Sequence, residues 1–208
     1  MVGRILSATV LHSLRGEFTK YQESAMKGVV FNLLEEAVTA AHDEAYWDAI
    51  LREANLVGSY TSLGNYPDSE LVRLVEVYGR GRGLQPAEVL RWFGPHMIRA
   101  FARRLPGLFA AHNNLRSFLL SLNTLIHPEV RKLYPDAHVP EFEFEEPAHD
   151  QLVIRYCSPR RLCALAEGLM VGAAAHYHTP IDLTHPECMH QGHAKCRLEV
   201  RIHEGARR

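Results

Sequence analysis

Leu133-Tyr-Pro-Asp-Ala-His-Val-Pro-Glu-Phe-Glu-Phe-Glu145 is where the chain changes its period. Before this stretch apolar residues return every three or four positions. After Pro140 they alternate strictly, Glu141-Phe-Glu-Phe-Glu145, as on a strand with one buried face. Pro135 and Pro140 end any helix that reaches them, because proline supplies no N–H and restricts the residue before it. Upstream, Leu108 to Leu133 carries Leu115, Phe118, Leu119, Leu122, Leu125 and Ile126 at helical spacing and reads as one buried helix. Earlier still, Met26 to Val38 and Asp43 to Asn55 have helical periodicity. Pro67-Asp-Ser-Glu-Leu71 opens a helix that runs through Tyr78, and Gln85-Pro-Ala-Glu-Val-Leu90 opens another. Gly79-Arg-Gly-Arg-Gly83 reads as the loop between those two. Downstream, Gln151 to Cys157 is a second strand, Arg160 to Tyr177 a helix packed on a sheet, and Cys196 to Ile202 a last alternating strand. Helices first, then strand, strand, helix, strand, strand place the chain in the α+β class. The expectation is a helical N-terminal subdomain and a C-terminal antiparallel sheet with a packed helix.

The 208 residues suit one domain, and a hydrophobic fraction of 47% is enough to close a core without covalent staples. Residues 1–25 read as an extension whose relevance is open, since Met26 could itself be a start. The domain is expected over residues 26–204, with a tail at 205–208. Lys and Arg number 23 against 24 Asp and Glu, so there is no global basic field for a phosphate backbone, and no nucleic-acid partner is expected. No run approaches the roughly 18 apolar residues of a membrane helix, and the N-terminus lacks the apolar core of a secretory signal. A soluble, cytoplasmic chain is expected, in which thiols stay reduced and clustered cysteines tend towards metal binding.

Three groups of residues carry chemistry. His127 sits late in the most apolar helical stretch, and a neutral imidazole is the commonest protein ligand for a metal or haem iron. Tyr156-Cys-Ser-Pro-Arg160 is a strand-to-helix corner with two hydroxyls and a guanidinium at alternate positions, which strand alternation turns to one side. An Arg fork with two hydroxyl donors is a good clamp for carboxylates. Cys163, His185, Cys188 and Cys196 make a Cys₃His set of the kind that holds tetrahedral zinc. His190 or His193 could replace His185 in it. Buried cysteines can also act as small hydrophobes, and Cys188 could pair with Cys196 as a disulfide. Cys157 points away from the clamp by alternation and is given a packing role. No nucleophile elbow or phosphate-binding glycine motif is present, so no enzyme activity is expected.

Met26-Lys-Gly-Val-Val-Phe-Asn-Leu-Leu-Glu35, the run Ser117 to Ala137 around Leu125-Ile-His-Pro-Glu129, and Tyr156-Cys-Ser-Pro-Arg-Arg-Leu-Cys-Ala-Leu-Ala-Glu-Gly-Leu169 together resemble the haem nitric oxide/oxygen binding (H-NOX) family. The resemblance spans Met26 to about Ile202. It implies a b-type haem between the two halves, with His127 as its proximal ligand. It also implies that Tyr156, Ser158 and Arg160 clamp the haem propionates and that Pro140 packs on the porphyrin and distorts it. Relatives that hold O₂ place a tyrosine nine residues beyond the clamp tyrosine; here that position is Leu165. Bound O₂ carries more negative charge than bound NO, so the missing donor disfavours O₂ by about 1–3 kcal/mol. The implied function is a sensor of NO, and of CO, that discriminates against O₂. It would signal through release of His127 to a separate histidine kinase or cyclic-di-GMP enzyme. A subset of the family carries a cluster like Cys188 to Cys196 with Zn²⁺, which makes redox sensing by zinc thiolates a second expectation. Haem storage or trafficking is the alternative from another class.

Overall fold

The computed structural model describes residues 25–203. The expected extension lies outside the described residues apart from Ala25, and the tail lies outside them altogether. Ala25 opens β1 (Ala25–Lys27), which pairs antiparallel with β2 (Asn65–Pro67), Ala25 opposite Pro67. Between these short strands lie α1 (Gly28–Ala41) and α2 (Glu44–Ala54). The Asp43 carboxylate accepts the Tyr46 N–H at 2.7 Å and caps α2. The next helices are α3 (Asp68–Arg82) and α4 (Pro86–Arg104), the latter opened by a reciprocal Gln85/Glu88 capping box. The Gly-Arg-Gly-Arg run expected as a loop is the last turn of α3. The helix continues to Arg82, because Val77 and Tyr78 still bury an apolar face there, and only Gly83, at φ +69°, ends it.

The stretch expected as one helix from Leu108 to Leu133 is broken into four pieces: α5 (Pro106–Ala110), α6 (Leu115–Leu120), a π-helical turn (Leu122–Ile126) and α7 (His127–Leu133). The break before α6 is capped by Asn114, whose carboxamide oxygen accepts the Ser117 N–H at 2.8 Å. Apolar spacing alone does not register such a break, since both flanking segments pack on the same core.

The C-terminal half is a four-stranded antiparallel sheet in the order β3-β4-β6-β5, from β3 (Glu141–Ala148), β4 (Gln151–Cys157), β5 (Ile181–Glu187) and β6 (Cys196–Ile202). α8 (Cys163–His176) links β4 to β5 and packs on the sheet. The α+β architecture is as expected. Two cores result. One joins Phe31, Leu34, Leu74 and Phe93 among the N-terminal helices, and the other joins Leu115, Leu152, Ile154 and Leu198 between the helices and the sheet. α4 and α8 contribute to both. They cross at backbone contact: a Cβ on Gly94 would overlap the Gly168 backbone, and one on Gly168 would overlap the Arg91 carbonyl. No helix among the described residues is long and apolar enough to cross a membrane.

Candidate functional site

A cavity of about 270 Å³ lies between the two cores, and its walls are mostly aliphatic and aromatic. His127, Pro140, Tyr156, Ser158, Arg160 and Leu165, separated by up to 38 residues, all line it. His127 enters from the start of α7, just after the π turn. That turn arises because the Ser121 carbonyl accepts from Thr124, Leu125 and Ile126 together, while the His127 N–H reaches back to Leu122. Turns of this kind recur at functional sites. The Asn123 carboxamide donates to the Phe142 carbonyl at 2.6 Å, tying the turn to β3. The His127 ring packs face to face on Phe142, with centroids 5.6 Å apart. Burial, and then the Arg131 charge, lower its pKa to about 4, so the imidazole is neutral at ordinary pH and has a lone pair to offer. Among the described residues nothing hydrogen-bonds its ring nitrogens.

Tyr156 ends the buried face of β4, and burial pushes its hydroxyl up to about 12. Strand alternation accounts for Tyr156 but not for its two companions, because β4 stops at Cys157. A turn brings Ser158 and Arg160 round, with the Ser158 hydroxyl accepting the Arg160 N–H at 3.3 Å and Arg161 at φ +51°. The Arg160 guanidinium is buried and gathers three segments. Nε donates to Asp68 at 2.7 Å, Nη1 to the His138 carbonyl at 2.6 Å, and Nη2 to the Ala25 carbonyl. Asp68, at the start of α3, was not singled out in the sequence; the only signal there was its place as a helix opener. Leu165 belongs to the core shared with α1 and α4, so that wall of the cavity is aliphatic. The tyrosines lining the cavity are Tyr134, just past α7, and Tyr156. A flat, largely apolar prosthetic group with carboxylate arms and an open iron site fits such a cavity. His127 could ligate the iron, and Arg160, Ser158 and Tyr156 could receive the carboxylates.

The second group lies behind α8. Ligand atoms of Cys163, His185, Cys188 and Cys196 all fall within 4.8 Å of one another. Cys163 opens α8 and Cys196 opens β6, both buried. His185 lies where the β5–β6 register shifts, and Cys188 just past β5. The four cysteines of the chain are free thiols, and the Cys163 and Cys188 sulfurs stand 3.8 Å apart. That is the edge of a tetrahedron of sulfurs around a zinc ion at about 2.3 Å, and well beyond a disulfide bond. Burial and the neighbouring Cys196 and Cys188 push the Cys163 thiol far up, and burial raises that of Cys196. Adjacent buried thiolates need a cation beside them. The Nε2 atom of His185 is buried and has no hydrogen-bond partner. These residues fit a divalent, thiophilic metal. His190 and His193, the alternatives to His185, are exposed, and His190 bonds the Arg161 carbonyl at 2.8 Å instead. Cys157 is half-buried on β4 and outside the cluster.

An α+β fold with a His-lined apolar cavity and a Tyr/Ser/Arg corner is compatible with a haem-binding domain. Residues 27–185 match the model of the haem-NO-binding family, and the chain belongs to that family. Solved structures agree. An H-NOX protein from S. oneidensis in the Fe(II) state, as a triple mutant, is 31% identical, covers 88% of this chain and 98% of its own, and superposes with a TM-score of 0.83. The same organism's protein in the Fe(II)NO state is 32% identical over 86% of this chain and all of its own, with a TM-score of 0.82. The unliganded Fe(II) H-NOX protein from K. algicida is 27% identical over 86% of this chain and 98% of its own, at 0.79. Among curated proteins none matches. H-NOX domains are haem-based gas sensors rather than enzymes, and the S. oneidensis protein has been solved with NO and with CO on Fe(II).

Proposed function

We propose that this chain, as one haem domain over residues 26–204, senses nitric oxide at ferrous haem, accepts CO, rejects O₂, and signals to a separate effector protein. When bound, ferrous haem would supply an iron able to take a diatomic gas and an imidazole ligand. His127 is the imidazole in this reading, neutral and unpartnered on the cavity wall. Arg160, with Ser158 and Tyr156, neutralises and orients the carboxylate arms, and Pro140 presses on the ring. The observation that carries the choice of gas is Leu165: its wall offers no hydroxyl to a polar, partly anionic ligand. Release of His127 would free α7 and the π turn, which the Asn123 hydrogen bond and the His127–Phe142 ring contact hold on β3, and would shift the helical half against the sheet. The effector is a histidine kinase or a cyclic-di-GMP enzyme, as the resemblance implies. Absorption spectra of the ferrous protein under argon, air and NO test this reading. A Soret band that moves with NO and not with air is expected; a stable oxy-complex would overturn it.

The cluster behind α8 favours a second role for the same chain. As a Zn²⁺ site with Cys163, Cys188 and Cys196 as thiolates, it would be a redox sensor. Peroxide would take two electrons from a pair of thiolates, join them as a disulfide and release the metal. The free cysteines suit a reducing, cytoplasmic setting. Zinc release measured against peroxide dose checks it, and a protein that keeps its zinc while peroxide is consumed refutes it.

A further inference from the structure

Glu167 is a carboxylate that a helix buried on nearly all sides has no evident use for. It sits on α8 among Leu165, Ala166, Gly168 and Met170, and its side chain is only 10% exposed. It lies four residues after Cys163, on the same face of the helix. Both oxygens are engaged. Oε1 is 2.6 Å from Nδ1 of His185, and Oε2 accepts from Nε of Arg91 at 2.5 Å. The first contact dictates a tautomer. A carboxylate only accepts, so Nδ1 must carry the proton and a neutral imidazole then keeps its lone pair on Nε2. Nε2 is the buried atom without a partner, and it belongs to the residue whose ligand atom lies within 4.8 Å of three sulfurs. The second contact fixes the carboxylate from the other side. Arg91 is on α4, three residues before Gly94, and its own carbonyl meets Gly168 at the closest approach of α4 and α8. The two backbones touch there, which places the base of Arg91 against α8 beside Glu167.

We propose that Glu167 is the positioning residue of the Cys163/His185/Cys188/Cys196 cluster, holding His185 as its Nδ1–H tautomer with Nε2 aimed at the metal while Arg91 anchors the carboxylate from α4. The assignment rests on reading that cluster as a metal site. Hydrogen-bonded carboxylates behind metal-ligating histidines set ring orientation and raise ligand basicity, and their loss weakens binding by about 10–100-fold. Here the anchor comes from the opposite half of the molecule, so the metal site is braced against the helix that also lines the cavity through Met97 and Ile98.

Zn²⁺ titrated against a chromophoric chelator into the full chain, as wild type, Glu167→Ala, Glu167→Gln, His185→Ala and the Glu167→Ala/His185→Ala double variant, tests the assignment. Glu167→Ala should bind zinc about 10–100-fold more weakly. Glu167→Gln, which keeps the shape and an accepting oxygen, should recover most of that loss. In the His185→Ala background the Glu167→Ala effect should vanish, because the carboxylate acts through that ring. An equal loss in both backgrounds, or none in either, overturns the proposal. Nitrogen-15 spectra of the metal-free wild type supply a readout independent of zinc. His185 should appear as the Nδ1–H tautomer and become a tautomer mixture in Glu167→Ala; an Nε2–H tautomer in the wild type overturns the proposal. A wild type that takes no zinc but shows the Nδ1–H tautomer would end the metal reading while upholding Glu167's hold on His185.

Discussion

Position 165 decides how polar one wall of the cavity is, and it does so with a single side chain. In the proposed reading, leucine there would offer a ligand on haem iron no hydrogen bond from that wall, which would suit NO and CO better than O₂. Leu165→Tyr would bring a hydroxyl to that wall. A hydrogen bond to a partly charged acceptor contributes about 1–3 kcal/mol, so O₂ affinity should rise about 5–150-fold, read by titrating the ferrous protein with O₂. Arg160 works by the opposite logic, as a charge that the interior must satisfy. Its three bonds to Asp68, His138 and Ala25 join residues distant in the chain, and Asp68 already has one carboxylate oxygen without a partner. Arg160→Ala strands that carboxylate, and equilibrium urea unfolding should show a loss of about 3 kcal/mol. The Tyr156, Ser158 and Arg160 triplet was legible in the sequence, but its reason was not. Alternation carries Tyr156 to the cavity, whereas a turn with a left-handed Arg161 carries the other two.

Among the elements, α8 is the one on which both sites depend. Cys163 and Glu167 face the cluster, while Leu165, Ala166 and Leu169 face the cavity. Its crossing with α4 tolerates no side-chain atom at the contact. Gly168→Ala would drive a methyl into the Arg91 carbonyl, and unfolding should show a cost of about 2–3 kcal/mol, with zinc and haem affinity both reduced. The π turn before His127 leaves no mark in the sequence. Leu122, Leu125 and Ile126 keep a helical spacing whether the hydrogen bonds run four residues back or five, so periodicity predicts one continuous helix. The extension of α3 through Gly79 and Gly81 was hidden for a related reason. Glycine weakens a helix by about 1 kcal/mol, and the burial of Val77 and Tyr78 offsets it.

At the scale of the whole molecule, the cavity is lined by residues of both cores. Filling it should stabilise both halves together, because whatever binds only the folded chain adds to its stability by mass action. Holo-protein at a thousandfold excess over the haem dissociation constant should gain about 4 kcal/mol over the haem-free form. That appears as a rise of about 8–16 °C in the midpoint of thermal unfolding. An unchanged midpoint would mean that the cavity does not take the cofactor. His127→Ala should keep the far-ultraviolet dichroism of the fold and lose the Soret band on dilution.

Much about this protein was settled by local rules. The change of period at Pro140 divided helices from sheet, since each element buries one face and its repeat shows in the order of residues. The sequence singled out His127, Tyr156, Ser158 and Arg160 through the resemblance to H-NOX proteins, and the Cys163/His185/Cys188/Cys196 set through its residue types. The sequence preferred His185 but left His190 and His193 open; the tertiary structure gathers His185 with the three cysteines and leaves the other two exposed, since exposure depends on where β5 and β6 shift register. Only the tertiary structure joined Glu167 to Arg91, 76 positions apart, and Arg160 to Asp68 and Ala25. Such pairs leave no periodic trace in a single chain. They arise when elements that fold by local rules are packed together and every buried charge must find its partner.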